Sequence, residues 1–426
     1  MIRNQIICAD VMVGLKQLPD NSVHCCVTSP PYWGLRDYGV DGAIGLEPTL
    51  DEFILNLVAA FREVHRVLHP SGVLWVNMGN SYASSPANSS KPFRASIARM
   101  DGIIDPSRTI RNRDGCPTPD GFKPKNLIPQ AWLLGLALQQ DGWWLRSEII
   151  WHKLNPMPGS QKDRPTTSHE TILMLTKSAQ YSFFMDQIRM NGSINRSPRT
   201  VWTFATEPMG WQMCKTCKTV YAPDEYRRLS QGIQKRPLYD DEGHKYVGGW
   251  ANKSSRAEGV TENVGNYRDD RKVCRTCKTT DQWLSHFAAF PQELVKRCIL
   301  ASTSNRGICS ACGAQWIPLV DKIFHPQEDV SLYRGKRSAA GLDSSSGFAN
   351  TSRGSNAIKI IDYTPSCQCN VSICPPLVLD PFGGVMTTGL VAKKLGREYV
   401  CIELNPDYCV LGEIRLRRET QQLTIR

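Results

Sequence analysis

The chain has 426 residues, of which 41% are hydrophobic and 21% charged, and a formal net charge of +11. That length supports two or three domains with a large buried core, and the composition is that of a globular protein. No apolar run approaches the length of a membrane span, and MIRNQIICAD lacks the charged start and apolar stretch of a signal peptide, so a cytoplasmic protein with no membrane partner is expected.

In chain order, Ile6 to Ala9 is a short apolar run ending in Asp10, and Val11 to Leu18 has helical spacing. His24 to Thr28 is a β-prone run leading into Ser29-Pro30-Pro31, where two prolines must stop the strand. Residues 51–68 carry a helical apolar stripe and end at Pro70-Ser71-Gly72, after which Val73 to Asn77 reads as a buried strand. This alternation predicts an α/β fold with a mostly parallel sheet. Residues 81–126, rich in Ser, Pro, Gly and Arg, read as a long mobile loop. Leu127 to Gln140 returns to helix, and Leu145 to His152 and Thr171 to Thr176 read as strands.

After about Arg189 the chain turns polar and basic. From Trp211 to Thr280, 14 Lys or Arg stand against 9 Asp or Glu. Such an excess suits a polyanionic partner through counterion release, although a solvated face accounts for it equally well. Pro291 to Ala301 is an amphipathic helix. A second polar stretch covers about Ser304 to Ile373, with a Ser/Gly-rich part from Arg337 to Ser355. Leu377 to Asp380 reads as a strand, Thr387 to Leu395 as a helix and Tyr399 to Glu403 as a strand. The expected organisation is a catalytic half over 1–203, a basic Cys-rich insert over 204–285, a helix over 286–303, a second Cys-rich insert over 304–375 and a cofactor half over 376–426.

Two segments carry chemistry. An aromatic amine on cytosine or adenine is a poor nucleophile because its lone pair is delocalised into the ring. In Thr28-Ser29-Pro30-Pro31-Tyr32, the Ser29 hydroxyl and the Pro30 carbonyl can draw on the amino hydrogens and favour a pyramidal nitrogen. Pro30 and Pro31 make the turn rigid, and Tyr32 can stack on an extruded base. A proline-rich strand exit with an aromatic packed beside it would look the same. In the second segment, Asp380-Pro381-Phe382-Gly383-Gly384 follows an apolar strand and opens a helix. Nineteen residues after Gly384 comes Glu403, the distance at which an acid grips ribose hydroxyls in nucleotide-type folds. A plain βαβ unit with a surface carboxylate is the competing reading.

At these residues the chain resembles the N4-cytosine/N6-adenine DNA methyltransferases that use S-adenosylmethionine. The resemblance covers most of residues 1–203 and 286–415, including ICADVMVGLKQLPDNSVHCCVTSPPY, LRSEIIWHKLNPMPGSQKDRPTTSHETILMLTKS and the helix from His286 to Ser302. It implies a Rossmann-like fold in which the catalytic tetrapeptide precedes the cofactor motif, the circularly permuted order usually called β class. That order disfavours the protein-glutamine methyltransferases, which place the cofactor motif first. By the same resemblance Asp10, Phe290, Pro291, Asp380, Pro381, Phe382, Gly384, Thr387, Thr388, Glu403 and Asn405 are expected around the cofactor. It implies direct methyl transfer, with Ser29 resembling the N4-cytosine members and N6 of adenine as the alternative target. Met386 departs from the family's Phe-x-Gly-x-Gly pattern, and a side chain there is expected to crowd the cofactor's methionine portion. Glu262-Asn263-Val264 and Cys367-Gln368 resemble fragments of the cytosine-C5 enzymes, but neither lies in that class's order.

The 16 cysteines are poorly placed for a secreted disulfide scaffold. Cys214-x-x-Cys217 with Cys274-x-x-Cys277, and Cys309-x-x-Cys312 with Cys367-x-Cys369, each supply the four thiolates of a closed structural zinc site. Two zinc ions are therefore expected, in inserts too polar to fold alone; buried free cysteine is the alternative. Arg227, Arg228, Lys235, Arg236, Arg271 and Lys272 are expected to grip phosphates of double-stranded DNA. The whole reads as a prokaryotic or phage site-specific DNA methyltransferase, with a cognate restriction endonuclease admitted as partner. A zinc-ribbon DNA-binding protein with a catalytically weak core is the rival of another class.

Overall fold

The computed structural model describes residues 2–35, 40, 42–83, 118–156, 158–159, 161–189, 198–207, 210–229, 272–279, 283–284, 290–326 and 354–421. Most of the expected mobile loop (84–117), most of the Ser/Gly-rich stretch, Lys235, Arg236 and Arg271 lie outside the described residues. The chain forms two compact units, Met1–Pro208 with His286–Arg426, and Met209–Ser285.

In chain order the first unit begins β1 (Gln5–Cys8), α1 (Val11–Lys16), β2 (Val23–Thr28), α2 (Leu50–Val67) and β3 (Leu68–Met78). It continues with β4 (Ser81–Tyr82), β5 (Leu127–Ile128), α3 (Gln130–Gln140), β6 (Trp144–Lys153), β7 (His169–Thr176) and β8 (Val201–Phe204). The second unit holds β9 (Gln212–Cys214), β10 (Val220–Tyr221), α4 (Pro223–Arg227) and β11 (Trp283–Leu284). The chain then re-enters the first unit as α5 (Gln292–Ser302), β12 (Ile308–Cys309), β13 (Trp316–Pro326), β14 (Gly354–Pro365) and β15 (Ile373–Cys374). It ends with β16 (Leu377–Asp380), α6 (Thr387–Lys394), β17 (Glu398–Glu403) and α7 (Pro406–Gln421).

One eight-stranded sheet, in the order β1-β17-β16-β2-β3-β7-β6-β8, organises the first unit. β1, β17, β16, β2 and β3 pair in parallel, and β7 runs antiparallel to both its neighbours. Helix α2 starts at a Thr49/Glu52 capping box and lays Phe53, Leu57, Phe61 and Val64, all fully buried, on one face of the sheet. Each such side chain contributes about 1.5–3 kcal/mol of burial. On the other face α5 and α6 cover Cys25, Val27, Val73, Trp75, Ile172 and Trp151.

Two sequence expectations change here. Pro70-Ser71-Gly72 does not separate helix from strand: α2 passes directly into β3, where Leu68 pairs with Val23 and Val73 with Cys25. The intervening residues bulge out, and a Cβ at Gly72 would lie 2.8 Å from Leu68 Cγ. The expected helix over 127–140 begins only at Gln130, because Pro129 takes the N-cap position and β5 pairs with β4 before it. Among the described residues, no helix is long and apolar enough to cross a membrane.

Candidate active site

The parallel strands all end on one rim of the sheet, and the candidate residues follow those ends. Ser29-Pro30-Pro31-Tyr32 leaves β2, Asp380 ends β16, Glu403 ends β17 and Asp10 follows β1. The two chemistry-bearing segments are neighbours because β2 pairs with β16. Thr28 Oγ1 donates to Asp380 Oδ1 at 2.7 Å, joining residues 352 positions apart. This placement at the carboxyl ends of parallel strands is where open α/β sheets bind ligands.

The turn after β2 is fixed from several sides. Trp33 N donates to Gln130 Oε1 at 2.9 Å, and Gln130 Nε2 donates to Ser81 Oγ at 2.6 Å. Trp33 Nε1 donates to the Glu47 carbonyl, and Gly34 N to the Gly45 carbonyl. Gly45 has φ +108°, and a Cβ there would sit 3.2 Å from Pro31 Cβ, so both its conformation and its space call for glycine. Pro30 is buried, whereas Ser29, Pro31 and Tyr32 keep partly exposed surfaces.

On the cofactor side, Glu403 accepts from Gly384 N at 2.7 Å on one oxygen and from Asn405 N at 2.8 Å on the other. Each oxygen thereby keeps a lone pair. Burial pushes the Glu403 carboxyl up to about 7. Gly384 takes φ +52°, which leaves its backbone open to close approach. Asp10 caps α1, accepting from Met12 N at 2.8 Å, and its side chain is half-buried. Asp380, Thr387 and Thr388 are buried, and their polar atoms are engaged within the protein. Asp380 accepts from Thr28, Thr388 and Phe382 N, and burial raises it to about 6. Thr387 accepts from Arg415. These three tie β16, α6 and α7 together behind the rim. Pro381 is buried, and Phe382 meets Phe61 edge-on at 6.4 Å. Phe290 and Pro291 stand at the start of α5, and Phe290 lines a narrow crevice with Thr28, Trp75 and Asn77.

Met386 does not crowd this rim. It takes the left-handed conformation (φ +62°), but its side chain is fully buried toward α7. A Cβ at Gly412 would lie 2.4 Å from Met386 Cγ, and one at Gly383 3.0 Å from its sulfur. Two glycines make the room that the methionine fills. The left-handed backbone costs about 1–2 kcal/mol, which burial of the side chain, about 1.5–3 kcal/mol, offsets.

Sequence reasoning missed three residues of the rim. Asn77 at the end of β3, Glu170 at the start of β7 and Lys153 at the end of β6 meet beside Tyr32. Tyr32 Oη donates to Glu170 Oε2 at 3.1 Å, Asn77 Nδ2 donates to the same oxygen at 2.8 Å, and Lys153 Nζ donates to Oε1 at 2.5 Å. The available signal was parity. Lys153 continues the buried face Ile149–Trp151 by two residues, and Glu170 precedes Ile172 by two. A charge in step with a buried row marks a polar rim.

The cysteines assemble as two tetrads, Cys214/Cys217/Cys274/Cys277 and Cys309/Cys312/Cys367/Cys369, with all four sulfurs of each within 4.8 Å of one another. A tetrahedron of zinc–sulfur bonds of about 2.3 Å sets sulfurs about 3.8 Å apart. Each knuckle closes alike. The residue after its second cysteine (Lys218, Lys278, Gly313 and Asn370) has positive φ, and in three of them its N–H returns to the first cysteine's carbonyl. Three non-glycine residues in that conformation signal a constraint that outweighs their backbone cost. In the second unit Arg227 and Arg228 are exposed. Lys272, expected on phosphate, instead closes the end of α4, donating to the carbonyls of Tyr226 at 2.9 Å and Arg227 at 3.0 Å.

Comparison with known proteins agrees with this geometry. A family model described as DNA methylase, of the N6 and N4 methyltransferases, matches residues 23–310 and 374–413. The type II methyltransferase M.Cfr9I of Citrobacter freundii is 32% identical over 412 residues, covering 96% of this chain and 86% of its own. M.SfiI of Streptomyces fimbriatus, also a type II methyltransferase, is 40% identical over 415 residues, covering 92% and 86%. A solved structure of the cytosine-N4-specific PvuII DNA methyltransferase is 14% identical, with a TM-score of 0.46 over 97% of this chain and 86% of that one. The chain belongs to the N6/N4 DNA methylase family and is a DNA amino-methyltransferase.

Proposed function

We propose that this methyltransferase transfers the methyl group of S-adenosylmethionine to N4 of a flipped cytosine in double-stranded DNA. The observation that carries the reading is the Thr28–Asp380 hydrogen bond, which joins the Ser29-Pro30-Pro31-Tyr32 turn to the Gly384–Glu403 unit on adjacent strands. The cofactor fits this rim, since the two free lone pairs of Glu403 match two vicinal ribose hydroxyls and Gly384 admits the ligand to its backbone. When bound, it supplies a methyl group activated by a sulfonium. The Pro30 carbonyl and Ser29 Oγ accept the amino hydrogens, and Pro30-Pro31 hold both acceptors without reorganisation. The partly exposed Tyr32 offers the extruded base a stacking face. Ser29 supports cytosine through its likeness to the N4-cytosine members.

Each cysteine tetrad fits a structural zinc ion: four thiolates at tetrahedral spacing, presented by matched knuckles. Exposed Arg227 and Arg228, in the unit that holds the first tetrad, are proposed DNA phosphate contacts. Likeness to type II relatives supports a cognate restriction endonuclease as functional partner. The test is incubation of zinc-loaded protein with DNA and methyl-labelled cofactor, followed by nucleoside separation. N4-methylcytosine is expected. N6-methyladenine overturns the target base, and label in neither overturns the function.

A further inference from the structure

The two tetrads differ at the residue that follows each cysteine. In the Met209–Ser285 unit every tetrad cysteine is followed directly by a cation: Cys214-Lys215, Cys217-Lys218, Cys274-Arg275 and Cys277-Lys278, within the near-repeat CKTCKT and CRTCKT. In the second tetrad the same positions hold Ser310, Gly313, Gln368 and Asn370. Four thiolates around a divalent zinc leave the same net negative charge at either tetrad. Neutralising a metal site therefore does not by itself call for the cations of the first.

The knuckles place these side chains as a matched pair. Lys218 N donates to the Cys214 carbonyl at 2.8 Å and Lys278 N to the Cys274 carbonyl at 3.0 Å. Across the pair, Cys214 Sγ lies 3.5 Å from Cys277 Sγ, and Cys217 Sγ 3.5 Å from Cys274 Sγ. Thr219 Oγ1 donates to Thr276 Oγ1 at 3.1 Å, which ties the two tips together. Lys218, Arg275 and Lys278 are exposed, and Lys215 is half-buried. Arg275 Nη2 donates to the Arg228 carbonyl at 3.2 Å, so the knuckle cations run on to exposed Arg228. Among the described residues of this unit the acids are Asp224 and Glu225, both on α4. Asp224 pairs with Arg227 at 3.6 Å, and Glu225 accepts from Ala222 N at 2.8 Å.

Backbone conformation is an independent sign. Lys218 and Lys278 are left-handed, with φ +58° and +62°. The same corners of the second tetrad are turned by Gly313 and Asn370, residue types that take this conformation most readily. Lysine at both corners costs stability without serving the turn, which points to a task outside the knuckle.

We propose that the cations following the cysteines of the first tetrad, centred on Lys218 and Lys278, form a face that grips the phosphate backbone of the DNA substrate. Paired donors on one tied tip, with no acid in either knuckle, suit a polyanion of regularly spaced charge, and each contact releases counterions. Such contacts fix register and carry no base information, so the face anchors a duplex whatever its sequence. The inference rests on the reading of the Met209–Ser285 unit as a DNA contact, and it moves the weight of that contact from α4 to the knuckles.

The test is the salt dependence of binding between full-length, zinc-loaded protein and labelled duplexes of unrelated sequence, followed by fluorescence anisotropy. The variant is Lys218→Asn/Lys278→Asn, which removes both charges and uses the residue type that turns the same corner at Asn370. Each phosphate contact contributes about −0.9 to the slope of log K against log salt, so the variant's slope should be shallower by about 1.8. Its affinity at about 0.1 M salt should fall roughly 10- to 100-fold, equally on every duplex. Zinc should stay at about two per chain. A wild-type slope in the folded variant overturns the proposal. Loss of zinc or of ordered structure in the variant would assign the lysines to the metal site and overturns it equally. Lys218→Arg/Lys278→Arg keeps the charge and should hold the wild-type slope; a slope as shallow as that of the asparagine variant counts against the proposal. Cys274→Ser, which removes a ligand of this tetrad, separates the two claims. A wild-type slope in it refutes the DNA reading of the unit, whereas a shallow slope in it beside a wild-type slope in the asparagine variant refutes the knuckle face alone.

Discussion

The two cysteine tetrads have the same local geometry and opposite surroundings. Around the first, the buried cluster is Cys214, Tyr221, Leu229 and Cys274, with Trp283 and Tyr226 packed against it, all inside the Met209–Ser285 unit. The second lies inside the catalytic unit and is hydrogen-bonded to its sheet. His24 on β2 accepts from Leu377 N through Nδ1, so its Nε2 donates to the Gly313 carbonyl at 3.1 Å. His69 accepts from Ser71 N through Nδ1 and donates from Nε2 to the Cys312 carbonyl at 3.2 Å. Gln315, 2% exposed, donates to the Ser302 carbonyl and accepts from Ser304 N, each at 2.7 Å. The same four-thiolate device therefore serves two ends. In the Met209–Ser285 unit the tetrad sits in the small buried cluster itself; in the catalytic unit it is joined through His24 to β2, the strand that leads into Ser29.

The largest expected effect would break this comparison outright. Purified protein should hold two zinc ions per chain, and Cys274→Ser and Cys312→Ser should each lose one. Because structural zinc binding is itself folding energy, Cys274→Ser should abolish ordered structure in the 209–285 unit and weaken DNA binding, with the catalytic unit melting as before. Cys312→Ser should instead lower the melting transition of the catalytic unit. Identical effects of the two variants on both transitions would refute the contrast.

A second effect, on the order of a few kcal/mol, tells the two transitions apart by pH. Asp380 and Glu403 have folded-state values of about 6 and about 7, raised by burial above their unfolded 3.8 and 4.5. Carboxyls raised in this way contribute stability that is complete below the unfolded values and lost as pH rises through the folded ones. In cofactor-free protein the catalytic-unit transition should therefore fall between about pH 4 and 7, as differential scanning calorimetry can follow. On the proposed reading, in which the cofactor's ribose hydroxyls donate to Glu403, saturating cofactor should flatten the upper part of that fall. A catalytic transition that rises over this range contradicts the assignment. The smallest effect concerns the brace itself: Gln315→Leu leaves the Ser302 carbonyl and Ser304 N–H without partners. It should cost the catalytic unit about 1–3 kcal/mol in urea unfolding while leaving zinc content at two. A loss of metal without a loss of stability would mean that Gln315 serves the tetrad and not the joint.

Much of this was legible in the sequence. The apolar runs at β2, β7, β16 and β17 and the stripe of α2 appear within two residues of where periodicity puts them, because burial on one or both faces dictates composition there. Direction was not legible. β7 is apolar like the parallel strands β2 and β16, and its reversal depends on the connection from β6. The hairpin of β13 and β14 was missed because it stands outside the core, with Ile317, Leu319 and Ile361 exposed, so no burial pattern marks it. At the site, the segments with local spacing were found: the proline turn, the glycine turn with its acid, and the cysteine pairs. Asn77, Lys153 and Glu170 were not, since each is one polar residue at the end of a different strand and only the sheet brings them together. Met386 was misjudged for a related reason. Its fit depends on Gly412, in a helix whose packing the local sequence does not reveal.

The central claim is that the turn after β2 performs methyl transfer on cytosine at the rim it shares with the Glu403 unit. The most direct measurement compares wild type and Ser29→Ala, both zinc-loaded, by labelled methyl transfer with nucleoside identification, alongside cofactor binding by calorimetry. The account predicts N4-methylcytosine from wild type. For Ser29→Ala it predicts a rate lower by about 100-fold or more at nearly unchanged cofactor affinity. Undiminished turnover in Ser29→Ala, or no cofactor binding by the folded wild type, would contradict it.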